Sequence, residues 1–460
     1  MKEYLVFLAQ QHPNFRLAEI HALAQLIDLE VDLSQHDPTT PFLIVKIADE
    51  EKAKKWLSRA ILTKAIYELW GHGDTEELLH QDVKARKEMN EWSKYEQSSF
   101  KFDFQGYQGS RPNKSKVKIM ERFAYLPFEG PIRMKDPDEV FTVVEHYVPV
   151  TEHDSAEAPS HLYFGRLVSL TGRSTGMLEK YDLKKRNYIG TTTFEAELSL
   201  VSCNLAHVSP GDFMYDPFVG TGSFLVAGAA YGALTVGSDI DGRLIRGKGN
   251  NTKMQNDSEG KSQKKKKQGG EVKDIQSNFK QYGNKELFLD VLTMDFTHNA
   301  FRDTLKFDCI VCDPPYGIRE GLKVLGARNP ERFEGKETVE IDGMKAFLKR
   351  DYIPTKKPYA LDDMLYDLLQ FSSERLPVGR RLAFWMPTAN DEDVETLIPQ
   401  HKNLELVYHL EQVFNNWSRR LLVYVNKGDG FNGEDNRTAT CLPEFRKRYF
   451  TKGFEKVEDQ

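Results

Sequence analysis

The chain has little cysteine: Cys203, Cys309, Cys312 and Cys441 are all it carries in 460 residues. Their spacing makes no disulfide framework, which suits a reducing compartment. No apolar run approaches the roughly 20 residues that a membrane-spanning helix needs. The opening MKEYLVFLAQQHPNFRLAE is apolar over too short a stretch for a secretory leader and turns polar at once. The expectation is a cytoplasmic protein with no membrane association. An excess of basic charge is also missing, since 63 Lys and Arg face 69 Asp and Glu for a net charge of −6. That disfavours a protein that coats nucleic acid by charge alone. Local basic clusters remain at Lys184-Lys185-Arg186, Lys264 to Lys267, Lys349-Arg350 with Lys356-Lys357, and Arg419-Arg420. Taken singly, each reads as a solvated face.

The length predicts more than one domain. Up to about residue 170 the pattern mixes short strands and helices. YLVFLA, FLIVKIA, FKFDFQGY, EVFTVVEHYV and HLYFGRLVS read as strands, and NFRLAEIHALAQLI and EEKAKKWLSRAILTKAIYELW as amphipathic helices. This is an α+β unit over 1–170 with no catalytic constellation, read as a binding domain. From 171 to 460 the pattern becomes strand, Gly-bearing turn, helix, repeated, which predicts a doubly wound, Rossmann-like parallel sheet. KMQNDSEGKSQKKKKQGGEVKD, about 253–274, breaks it. Almost devoid of apolar residues, it reads as a disordered Lys-rich insertion.

The chemistry gathers at predicted strand tips. Asp216-Pro217-Phe218-Val219-Gly220-Thr221-Gly222 joins the first strand of the repeat to its helix. Gly220 and Gly222 let a ligand approach the backbone, and the following helix offers free N–H groups. Asp216 would repel a pyrophosphate and suits a cationic or amine-bearing ligand instead. Asp239 ends the second strand, where a carboxylate holds a ribose diol. Asp290 and Val291 lie in the third strand and are read as meeting an adenine. An amine, a ribose and an adenine together fit S-adenosylmethionine.

The fourth strand, FDCIVC, stops at Asp313-Pro314-Pro315-Tyr316. An exocyclic amine on a base is a poor nucleophile because its lone pair is conjugated into the ring. Two acceptors aimed at its hydrogens free that pair. The Asp313 carboxylate supplies one, and the Pro314 carbonyl, held by the rigid Pro314-Pro315 pair, supplies the other. Tyr316 is expected to stack on the base. Cys309 and Cys312 form a CxxC inside a strand, where positions three apart face opposite sides. With no second pair to complete four ligands, no metal site is expected.

These residues resemble the amino-group methyltransferases of the class I S-adenosylmethionine superfamily. EKYDLKKRNYIGTTTFEAELSLVSCNLA, DPFVGTGSFLVAG, GSDIDGRLIRGKG, DPPYGIRE, RDYIPTKKPYALDDML, RLAFWMPTANDEDVETLIP and WSRRLLVYVN are similar to one branch in particular. It is the eukaryotic tRNA methyltransferases that modify the exocyclic N2 amine of guanosine 10. The resemblance implies a THUMP-containing tRNA-binding region before about residue 170. It implies S-adenosylmethionine held by Asp216, Pro217, Gly220, Gly222, Asp239, Asp290 and Val291, with the threonines at 191 to 193, Thr193 among them, folding over it. It puts the target amine on Asp313, Pro314, Pro315 and Tyr316. It also implies a small zinc-binding activator subunit. In this fold the third strand, Leu287 to Leu292, is an exposed apolar edge that strand addition would cover. Two other readings compete: an amine methyltransferase acting on DNA adenine or protein glutamine, and a non-catalytic RNA-binding scaffold.

Overall fold

The computed structural model describes residues 1–148, 158–245, 273–317, 322–326, 331, 340–349, 355–390, 397–415 and 417–433. It divides into two compact units, Met1–Met177 and Leu178–Gln460. Most of the Lys-rich segment, 253–272, lies outside the described residues, as do Lys264 to Lys267.

The first unit is built on a six-stranded sheet of β1 (Lys2–Leu8), β2 (Phe42–Ile47), β3 (Thr63–Gly73), β4 (Phe100–Tyr107), β5 (Glu139–His146) and β6 (His161–Leu170). Its order is β2-β1-β3-β6-β5-β4. Only β4 and β5 pair in parallel. The sequence pattern runs one helix from residue 50 through 70, but the helix is Glu50–Trp56 and β3 follows it. β3 is central and nearly all buried, so it lacks the alternation that marks a half-exposed strand. Sheet pairing overrides the helical periodicity there.

The second unit opens with β7 (Phe213–Asp216), β8 (Leu234–Asp239), β9 (Phe288–Thr293) and β10 (Cys309–Cys312). Two small ladders follow, β11 (Lys323–Leu325) with β14 (Lys356–Pro358), and β12 (Glu340–Ile341) with β13 (Met344–Lys345). β15 (Arg381–Ala389), β16 (Leu404–Val413) and β17 (Trp417–Asn426) close the unit. The main sheet has the order β16-β17-β15-β10-β7-β8-β9. β9, β8, β7, β10 and β15 are parallel, while β17 runs against both β15 and β16. This is the expected doubly wound sheet. The chain leaves β7 toward β8 and β9, then returns to the other side of β7 as β10. The crevice at the carboxyl ends of β7 and β10 is therefore the topological switch point, where such sheets bind ligands.

All four β10 residues are buried, including Cys309 and Cys312. One face of the sheet packs Tyr215, Ile310, Phe384 and Leu422 against Met364, Leu365, Leu368 and Leu369 of the helix Leu361–Arg375. Tyr215 stacks on Phe307 at 4.6 Å and shares a hydrogen bond with the Ser238 hydroxyl at 2.7 Å. Basic residues read as solvated are partly interior. Arg186 is 4% exposed beside Ser223 and Tyr282. Arg420 is held by Thr388, His409 and Glu411.

β7 turns into the helix Ser223–Ala230 through Gly220 at φ +49° and Gly222 at φ +82°. A Cβ on Gly222 would meet Ile275 Cγ2 at 2.8 Å. Gly222→Ala is therefore expected to destabilise the second unit by about 1–3 kcal/mol through strain and overlap. In an Ile275→Ala background, which lacks that Cγ2, Gly222→Ala should cost less but not nothing, since the overlap is relieved and φ is not. Thermal unfolding of the single and double variants checks this, and an unshifted midpoint for Gly222→Ala refutes it.

Candidate active site

The carboxyl ends of β7, β8 and β10 bring Asp216, Asp239 and Asp313 to one crevice. Asp216, the last residue of β7, is 1% exposed and accepts from the Phe218 N–H at 2.9 Å. Asp239 ends β8; one carboxylate oxygen accepts from the Gly220 N–H at 3.0 Å and the other from the Asp241 N–H at 2.7 Å. That bond ties the second strand tip to the glycine turn of the first. The Val219 N–H donates to the Ser238 carbonyl at 2.8 Å, and buried Pro217 offers its carbonyl to the Ser238 hydroxyl.

Burial raises Asp216 well above the usual carboxylate range, and Asp239 and Asp313 push the same way. Burial also raises Asp239, against the N–H groups of Asp241 and Gly220 and against Lys356. Asp313 is pushed up to about 6 by burial, opposed by the Tyr316 hydroxyl and Arg419. Three carboxylates thus share one desolvated end of the sheet.

The chain ends β10 at Cys312 because Pro314 and Pro315 have no N–H to donate. Pro314 is buried and Pro315 exposed. The Tyr316 hydroxyl donates to Asp313 Oδ1 at 2.5 Å. Its ring meets Trp417 edge-on, with centroids 6.5 Å apart. The expected stacking residue is thus bound through its hydroxyl to the carboxylate it was expected merely to neighbour.

Asp290 and Val291 do not join this group. Asp290 pairs with Val236, in the middle of β8, whereas Asp239 at the tip pairs with Thr293. At about 3.3 Å rise per residue, Asp290 lies roughly 10 Å short of the strand ends. Its exposed side chain bonds the adjacent Val291 N–H. The strand runs on past Asp290, so the tip carries Asp295 instead. Asp295 is 5% exposed and accepts from the N–H and hydroxyl of Thr297 and from the Leu325 N–H at 2.7 Å. The signal for it was available: MDF follows the apolar run, as DP and CDPP follow theirs.

Two further pieces reach the crevice. Thr193 accepts from the Gly190 N–H at 2.7 Å and shares a hydrogen bond with the Thr221 hydroxyl at 2.8 Å. The β11–β14 ladder is pinned over the tips of β8 and β9. Leu325 bonds Asp295, and the Lys356 ammonium donates to the Ile240 carbonyl at 3.0 Å.

A carboxyl held above its unfolded value makes the folded chain bind more protons than the unfolded one. Its ionisation therefore weakens the fold as pH rises. Asp216→Asn keeps the acceptor for Phe218 and removes the charge. It is expected to raise the melting temperature of the ligand-free chain at pH 8, with the gain vanishing toward about pH 4, near the unfolded carboxyl value. Calorimetric scans across pH check this, and a variant less stable than the parent at pH 8 overturns it.

Residues 2–173 match the family described as Tmrp11 THUMP N-terminal domain, and residues 184–326 the RMKL-like methyltransferase domain. The tRNA (guanine(10)-N(2))-methyltransferase of Saccharomyces cerevisiae is 55% identical over 98% of this chain and 99% of its own. That of Schizosaccharomyces pombe is 34% identical over 98% and 97%, and that of Homo sapiens 33% over 98% and 96%. With end-to-end similarity to all three, and with the switch-point sheet and strand-tip acids in place, the chain belongs to the tRNA (guanine(10)-N(2))-methyltransferase family.

Proposed function

We propose that this chain transfers a methyl group from S-adenosylmethionine to the exocyclic N2 amine of guanosine 10 in tRNA. The observation that carries the reading is Asp313, with the adjoining Pro314 carbonyl, at the tip of β10 across the switch point from the Asp216–Gly222 turn. A THUMP-type first unit favours tRNA over DNA adenine or protein glutamine as the amine's carrier, and Asp216, Asp239 and Asp313 gathered at the strand tips argue against a non-catalytic scaffold.

The crevice fits the cofactor by its own chemistry. A Cβ on Gly220 would find only the Phe218 carbonyl, at 3.9 Å, so the turn leaves open backbone for a ligand. The carboxylates crowding one another call for positive charge. When bound, S-adenosylmethionine supplies an electrophilic methyl on a positively charged sulfonium, and an ammonium at its amino-acid end. Asp216 offers that ammonium a carboxylate, Asp239 holds the ribose diol, and Asp295 stands at the tip of the third strand for the adenine. Thr193, tied to Thr221, closes over them.

At the other side of the switch point, Asp313 and the Pro314 carbonyl take the two hydrogens of the guanine amine. They orient the nitrogen lone pair toward the methyl, and holding the amine in line supplies rate by proximity. The Asp313 carboxylate then takes the proton that the methylated amine sheds. Asp313 can do this only when ionised.

The same reading extends to a small zinc-binding activator subunit that adds a strand to β9. β9 is the outermost strand of the sheet, and its Leu289 is 49% exposed. An uncovered apolar edge of this kind pairs readily with another chain.

Nucleoside mass spectrometry of unmodified tRNA after incubation with labelled cofactor and the chain, alone and co-expressed with the activator subunit, tests the reaction. The product expected is N2-methylguanosine at position 10; label in another nucleoside or none in tRNA refutes it. Asp313→Ala should abolish transfer while cofactor and tRNA binding survive, and turnover within about tenfold of the parent rules out the amine-acceptor role. The rate should fall below about pH 6 as Asp313 protonates. Leu289→Lys should reduce co-purification with the activator subunit, and undiminished recovery places that subunit elsewhere.

A further inference from the structure

Several arginines of the first unit are matched by carboxylates. Arg86 pairs with Glu3 and Asp82, Arg111 with Glu76 and Glu145, and Arg166 with Glu50, Glu68 and Glu139. Lys64, at the start of β3, and Arg16, one turn into the helix Pro13–Gln25, break this habit. Neither has a carboxylate partner among the described residues. The helix adds to the imbalance around Arg16. Its first turn holds no acid and no side chain caps it, so the positive end of its dipole is left uncompensated by charge.

Both cations are held in place. The Lys64 carbonyl accepts from the Thr171 hydroxyl at 3.2 Å and from that of Ser174. Its ammonium lies 4.3 Å from the centroid of the buried Phe7 ring, which packs on Phe42 at 4.9 Å. That floor attracts a cation but does not neutralise it. Arg16 is 8% exposed; a terminal nitrogen donates to the Gln10 carbonyl, while the buried Nε meets no acceptor. Arg173, bonded to the Ile61 carbonyl at 3.1 Å and the Gln11 side-chain oxygen at 2.8 Å, brings a third positive charge to bear on Lys64. Burial lowers Lys64 below the ordinary lysine range, and Arg173 and Arg16 push the same way. Burial lowers Arg16 too, against Tyr107.

Cations drawn partly out of water without counter-charge cost the free protein stability, and an arriving anion recovers that cost. Building on the tRNA substrate proposed above, we infer that Lys64 and Arg16, with the start of the helix Pro13–Gln25, form a seat for a backbone phosphate of the tRNA, carried by the first unit alone. A phosphate contact of this kind sets the position of the RNA without reading its bases.

The test uses the full chain as wild type, Lys64→Met, Lys64→Arg and Lys54→Met. Methionine keeps an apolar stem on Phe7 and removes the charge. In a salt titration of tRNA binding, the slope of log affinity against log salt should be shallower by about one in Lys64→Met, because one counterion fewer is released. Its affinity at about 0.1 M salt should be about threefold to tenfold weaker. The same variant without ligand should melt about 2 °C or more higher than wild type, since a repelling cation has gone. Lys64→Arg should keep the wild-type slope. So should Lys54→Met, whose lysine is paired with Glu51 at 2.8 Å in the same unit. An unchanged slope in Lys64→Met overturns the seat, and so does an equal loss in Lys54→Met, which would mean diffuse charge. A lower melting temperature with tRNA affinity unmoved overturns it as well, making Lys64 a residue of the fold only. Binding is read without turnover, so a wild-type chain that held tRNA but left guanosine 10 unmethylated would strike the reaction and not the seat.

Discussion

Carboxylates crowded into one desolvated crevice repel each other and lose their hydration, and the catalytic unit is arranged around that cost. Asp216, Asp239 and Asp313 arrive there on three parallel strands whose carboxyl ends converge at the switch point. Each is raised by burial. Backbone N–H groups offset part of the penalty: Phe218 for Asp216, and Gly220 and Asp241 for Asp239. The remainder is best relieved by a cationic ligand. Such a site gives up stability of the free protein in return for affinity and for an acid poised near neutrality.

The surrounding parts make sense as supports for this cluster. The glycine turn needs positive φ to bring its N–H groups to Asp239. The threonine segment is held by Thr221 of the same turn. The β11–β14 ladder is anchored by Asp295 on one side and by Ile240 on the other, so the tips of β8 and β9 share one cover. Across β7, Arg419 lowers Asp313 against the effect of burial while resting on Phe194 and Trp385. The hairpin that carries Arg419 also carries Trp417, so the charge that favours an ionised Asp313 and the ring beside Tyr316 share one element.

Much of this was legible in the linear chain. The apolar runs that become β7, β8, β10 and β15 are buried parallel strands and that of β9 is an exposed edge, all are bounded by turns, and their spacing predicts the doubly wound sheet. Acids placed directly after such runs, at Asp216, Asp239 and Asp313, are strand-tip acids. The third run misled because an acid stands inside it. Asp290 interrupts LFLDVLTM and reads as its strand-tip acid, although the run continues to Met294. The helix drawn from residue 50 through 70 failed for a related reason, since a fully buried strand such as β3 carries no alternation to oppose a chance helical period.

The sequence by itself determined the parallel strands of the second unit, the glycine turn and the acid-Pro-Pro-aromatic stop, because each depends on neighbours within a few residues: φ freedom, a missing N–H, an apolar run of strand length. Only the tertiary structure decided which of those residues meet. It set Asp290 on the outer edge and Asp295 at the tip, turned the Tyr316 hydroxyl onto Asp313, and brought Trp417, about a hundred residues later, against the Tyr316 ring. Strand register and side-chain direction settle these contacts, and both come from pairings between distant segments, which no local pattern records.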